Sequence, residues 1–150
     1  MKRVLGILAT LGIFAVLGWA GGYGYWHIRL VSAVRTLETR SGVQGGDADA
    51  VDLLEDAGCR ALPYLIPAMQ PGKNPFFLAE ASQLLKKDLK GPLMRGDLEL
   101  DARLEGWLMT PDMSPAERQR KCDEIHAWWR EKGEARHSGA KWWKSDCGGI

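Results

Sequence analysis

The sequence predicts an all-α protein: an N-terminal transmembrane helix followed by a small helical domain of about five helices. Three observations carry this. Val4 to Trp26 is a run of 23 residues without a charge, 16 of them apolar. Between Ser41 and Ile150 only six of 110 residues are Val, Ile or Thr (Val43, Val51, Ile66, Thr110, Ile125 and Ile150), whereas 13 are Leu. Leu loses little rotamer freedom in a helix, while β-branched side chains favour strands. No stretch alternates apolar and polar residues long enough to suggest a hairpin of strands.

The elements follow in order. At 1.5 Å per residue, the apolar run spans about 35 Å as a helix, enough to cross the hydrocarbon core. Trp19, Tyr23, Tyr25 and Trp26 cluster at its end, as in an interfacial aromatic belt. The alternative is a signal peptide cleaved after Ala20 in Gly18-Trp19-Ala20. The run exceeds the usual signal core, and its apolar periodicity continues through Ile28, Val31 and Val34. Residues 1–35 therefore read as a membrane anchor. Lys2 and Arg3 precede the span and Arg29, Arg35 and Arg40 follow it, so charge nearly balances across it. A short leading tail usually stays cytoplasmic, which puts the helical domain outside the cytoplasm, in the periplasm if the cell is bacterial. Gly18-x-x-x-Gly22 and Ala20-x-x-x-Gly24 are small-residue spacings that let helices approach closely in lipid, so Gly18, Gly22 and Gly24 are candidate packing positions.

Residues 36–46 read as a linker, ending in SGVQGG. Asp47 or Asp49 can cap the first domain helix, where Ala50, Leu53, Leu54 and Ala57 share a face before the Gly58 stop. A second helix is expected from about Cys59 to Gln70, burying Leu62, Leu65, Ile66 and Met69. Pro63 suits its first turn, and Pro67 bends or shortens it. Asn74-Pro75 opens a third, with Phe77, Leu78, Ala81, Leu84, Leu85 and Leu89 inward and Lys86, Lys87 and Lys90 near its end. Gly91-Pro92 stops it. A fourth is expected from about Leu98 to Met109, burying Leu100, Leu104, Trp107 and Leu108. Ser114-Pro115-Ala116-Glu117 is a capping box that starts a fifth, which runs to about Lys132. Cys122, Ile125, His126 and Trp129 share one of its faces, with Trp128 about 100° away and peripheral. The domain so defined covers residues 47–133, and residues 134–150 form a polar tail containing Trp142-Trp143.

The stretch AVDLLEDAGCRALPYLIPAM, Ala50 to Met69, resembles a HEAT repeat of the short bacterial kind. The resemblance rests on Leu53-Leu54, the helix-ending Gly58, Ala61-Leu62-Pro63, Leu65-Ile66 and Ala68-Met69. NPFFLAEASQLL, Asn74 to Leu85, looks like the first helix of a following repeat, but with Phe76-Phe77 where charged residues are usual. About one and a half repeats are covered, over residues 50–85. The resemblance implies antiparallel helical hairpins and a binding or scaffolding role, and it carries over no site residue.

Chemistry-bearing clusters are few. Cys122 and His126 stand four residues apart and can share a metal, with His137 and Cys147 as further ligands, but the spacing C-x3-H-x10-H-x9-C fits no zinc pattern. The same pair as nucleophile and base lacks an orienting group. Cys122 and Cys147 can form a disulfide outside the cytoplasm, leaving Cys59 as the odd thiol. The sequence has no phosphate-binding glycine loop, nucleophile elbow or HExxH helix. No catalytic, cofactor or metal residue is assigned. The net charge of +1 excludes a strongly basic nucleic-acid binder. It averages a net −5 from Asp47 to Asp112 with a net +3 from Pro115 to Lys144. Trp142-Trp143 lies among basic residues with no core of its own to fill. With Trp128 it forms the candidate partner-binding set, because Trp buries a large area while its N–H keeps a polar contact. The expectation is a single-pass, non-enzymatic accessory or scaffold protein. It contacts the bilayer through residues 4–26 and binds a protein partner within a membrane complex, with no nucleic acid and no cofactor. The alternatives are a secreted or periplasmic binding protein after cleavage, and a metal protein or enzyme using Cys122 and His126.

Overall fold

The computed structural model describes residues 2–42, 47–90 and 98–133, with side chains for 21–42, 47–90 and 100–131. Every element among them is helical: α1 (Lys2–Arg40), α2 (Ala48–Ala57), a 3-10 turn (Gly58–Arg60), α3 (Leu62–Ala68), α4 (Pro75–Lys90), α5 (Leu98–Trp107), α6 (Pro115–Trp128) and a π turn (Trp129–Gly133). The all-α class is thus as expected. The apolar run from Val4 lies largely in residues whose side chains are outside the description. Among the described residues no helix is long and apolar enough to cross a membrane.

The first difference from expectation concerns α1. It does not give way to a linker at residue 36. The helix runs unbroken for 39 residues, and its second half belongs to the domain. Leu30, Ala33, Val34 and Leu37 are buried, Leu37 completely. Their i, i+3, i+4, i+7 spacing gives one apolar stripe, and α2, α3 and α4 all pack against this helix. Only after Arg40 does the chain turn. Gly42 takes φ +86°, and a Cβ there would come within 2.8 Å of the Phe76 ring. Both backbone and space therefore require glycine at this helix end.

Each domain helix then forms for the reasons its sequence carries. In α2, Ala50, Leu54 and Ala57 are buried. Asp47 occupies the cap position but makes no side-chain cap bond. Gly58, at φ +54°, ends the helix. The expected second helix is split: a 3-10 turn precedes α3, which starts one residue before Pro63 and ends one residue after Pro67. Proline 67 supplies no N–H to the ladder, which accounts for a helix of only seven residues. Leu62, Leu65, Ile66 and Met69 are all fully buried.

α4 is the central helix and touches α1, α2, α3 and α5. All six apolar positions expected to face inward do so, together with Ser82. The Ser82 hydroxyl donates to Ala79 O at 2.8 Å and accepts from Met109 N at 3.0 Å, tying α4 to the end of α5. Lys121 Nζ of α6 donates to Leu108 O at 2.7 Å, fixing the same corner from the other side. Ser114 caps α6 as expected, its Oγ accepting from Glu117 N at 3.2 Å. Ion pairs Lys73–Glu38, Lys87–Glu55 and Lys86–Glu105 join neighbouring elements at the surface. Such exposed pairs contribute about 0–1 kcal/mol each, so the apolar core determines the packing.

Candidate functional site

The structure corrects the expectation for Trp128. It is 5% exposed, and Trp129 beside it is 9% exposed. The indole of Trp128 packs on Trp107 of α5, centroids 5.3 Å apart and planes 59° apart, and on Trp129 at 6.2 Å. Ile125, Trp128 and Trp129 stand at i, i+3 and i+4, so both rings fall on the buried stripe of α6, and Trp107 of α5 covers Trp128. Trp128 is a core residue of the α5–α6 pair and presents no surface to a partner. Trp142 and Trp143 lie outside the described residues. Of the packing glycines, a Cβ added at Gly24 would meet open space, Gly22 is half-buried, and Gly18 lies in the segment described by its backbone alone.

The cysteines are also rearranged. Cys122 is a free, fully buried thiol, so it makes no bridge to Cys147. Burial, with Asp123 adding to it against Arg118, pushes this thiol up to about 11. A thiol so hard to ionise is a poor nucleophile and metal ligand. Cys59, expected to be the odd one, is disulfide-bonded instead. The one other cysteine in the chain, Cys147, lies outside the described residues, as does His137. His126 does not face Cys122 as a base. Its Nε2 lies 2.9 Å from Ile66 O and donates to it, since a carbonyl only accepts. Ile66 O also takes Met69 N at 3.1 Å, so His126 helps satisfy the carbonyl end of α3.

Beside that hydrogen bond is a shallow cleft of about 470 Å³ between α3 and α6. Ile66, Pro67 and Trp129 give it apolar walls, and Asp123, His126 and Arg130 a mixed-charge rim. Among the described residues no group of three or more His, Cys, Asp or Glu could hold a metal ion. The cleft can accept a small apolar group flanked by a charge.

A second cluster lies where α1 enters the domain. The Arg60 guanidinium sits over the Trp26 ring at 4.1 Å. His27 Nδ1 and the Tyr64 hydroxyl are 3.0 Å apart, with their rings edge to face. Burial, and then Tyr23, push the Tyr64 phenol above its usual range. Sequence reading missed this cluster. Trp26 and His27 are 34 and 37 residues from their partners, and only the packing of α1 on α3 brings them together.

Among the described residues Asp88 of α4 has the most perturbed carboxyl. Burial first, then the nearby Glu55 against Lys87, raises it from 3.8 to about 7. The folded chain therefore keeps a proton that the unfolded chain releases between those values. The stability this group contributes is complete below about pH 4 and lost as pH rises to about 7. Asp88→Asn is expected to flatten that fall. Unfolding followed from pH 4 to 7 for both chains checks it, and parallel curves would refute it.

No family model matches the chain, and searches of curated proteins and of solved structures returned no match.

Proposed function

We propose that this chain is a membrane-anchored, non-enzymatic accessory or scaffold protein, a small subunit that binds another protein within a membrane complex. The continuity of α1 carries the reading. One helix runs from the apolar segment at Val4 into the domain core at Leu30 to Leu37, so an anchor and a binding domain would share a rigid element. A cleavage after Ala20 would cut through that helix. The disulfide at Cys59 supports a domain outside the cytoplasm, since such bonds persist in oxidising compartments. The absence of an activated nucleophile at Cys122 fits a binding role better than catalysis. The HEAT-like reading belongs to the same proposal and rests on the resemblance of the stretch Ala50 to Met69.

With Trp128 buried, the partner-binding anchor falls to Trp142 and Trp143. Purification in mild detergent, with identification of co-purifying chains, tests the reading. A stoichiometric partner is expected with the natural chain. Its loss is expected in Trp142→Ala/Trp143→Ala, with helicity unchanged by circular dichroism. Equal recovery from both would end the tail-anchor claim, and an intact mass lacking residues 1–20 would favour the secreted alternative.

A further inference from the structure

The cluster at the root of the domain has an unusual charge arrangement. The Arg29 guanidinium lies 5.4 Å from the centre of the Tyr25 ring and 5.9 Å from that of Trp26, and Arg60 covers the same indole. Arg29 Nη1 donates to the Tyr25 hydroxyl at 2.9 Å, and Arg60 Nε to Ala57 O at 3.2 Å. Among the described residues neither guanidinium has a carboxylate within ion-pair distance, although acidic residues dominate this half of the domain. Aromatic faces hold both cations in place and leave most of their N–H donors unused. Next to them Ile28 is 69% and Tyr25 56% exposed, on the side of α1 away from the core.

We propose that this face docks on an anionic lipid surface, with Arg29 and Arg60 binding the phosphates of phospholipid headgroups. The inference rests on the anchored reading and adds an orientation to it. If the span ends at Trp26, the helical rise puts Arg29 to Val31 about 4–8 Å further out, within a headgroup layer about 5–8 Å thick. Arg60 is level with Trp26 because it lies on that ring. Tyr25, Trp26 and Tyr64 have an apolar body and a polar tip, the form that suits this depth. An arginine stacked on an indole keeps its edge donors free for paired bonds to phosphate. The His27–Tyr64 contact and the Arg60–Trp26 stack then set the domain at one fixed attitude to the bilayer.

The test uses the full chain in nanodiscs of phosphatidylcholine, with or without phosphatidylglycerol. Hydrogen exchange is followed over residues 27–33 and 58–66. An arginine near an anionic surface contributes about a fivefold effect, so exchange should slow by up to about 25-fold with the anionic lipid. Arg29→Gln/Arg60→Gln should erase the difference, while Arg29→Lys/Arg60→Lys should keep part of it, since lysine retains the charge but not the stacked fork. Equal exchange in the two lipids, or a difference that survives the Gln variant, overturns the proposal. Protection that appears only on adding a co-purified protein overturns it too, in favour of a protein surface. Carbonate extraction separates the two readings. A chain released from both lipids refutes the anchor and this inference with it, whereas a chain that resists extraction but ignores lipid charge refutes the inference alone.

Discussion

Replacing Leu37 by Ala is expected to destabilise the helical domain by about 2–5 kcal/mol, the usual range for truncating a buried leucine. Leu37 is fully buried although it lies on the helix that begins in the apolar N-terminal run. Ile28→Ala, on the same helix but 69% exposed, should change stability by less than about 0.5 kcal/mol. Near-UV circular dichroism reports the packing of Trp107 on Trp128, so denaturant titration of the three chains in one detergent gives the comparison. Equal midpoints would mean that residues 30–37 are not part of the core. A large loss in Leu37→Ala alone would mean that the second half of α1 is held in the domain core against α2, α3 and α4.

Local signals place most of the helix ends. Gly58, Asn74-Pro75 and the Ser114 capping box mark real helix ends, because each acts through its own backbone bonds. The inward faces of α2, α3 and α4 were also legible from spacing. What the sequence did not show is which helix lies beside which. The apolar pattern assigned to the anchor runs through Ile28, Val31 and Val34, whereas the buried stripe is Leu30, Ala33, Val34 and Leu37, with Ile28 and Val31 exposed, so periodicity did not separate lipid-facing from core-facing residues. Trp128 is a second case: it stands three residues after Ile125 and so shares the stripe with Trp129, but only the packing of Trp107 of α5 shows that the stripe is wide enough to cover both rings. The Arg60–Trp26 and His27–Tyr64 contacts are tertiary and have no sequence signature.

Cysteine chemistry offers the other large effect. Cys59→Ser is expected to lower stability by about 2–5 kcal/mol, the usual cost of losing a native disulfide in a small domain. Cys59 is 3% exposed at the 3-10 turn between α2 and α3, and its Sγ lies 3.7 Å from Asp88 O of α4. A reductant should bring the melting temperature of the natural chain down to that of Cys59→Ser and leave the variant unchanged. Cys122 is free and buried, so alkylation under non-reducing conditions should modify it only after unfolding. Mass mapping of the alkylated chain separates the two cysteines. A natural chain indifferent to reductant, or Cys59 alkylated without reduction, would refute the bridge. The same measurement bears on topology. Thiols are kept reduced in the cytosol, so a chain taken directly from cells with Cys59 already oxidised would place the domain in an oxidising compartment.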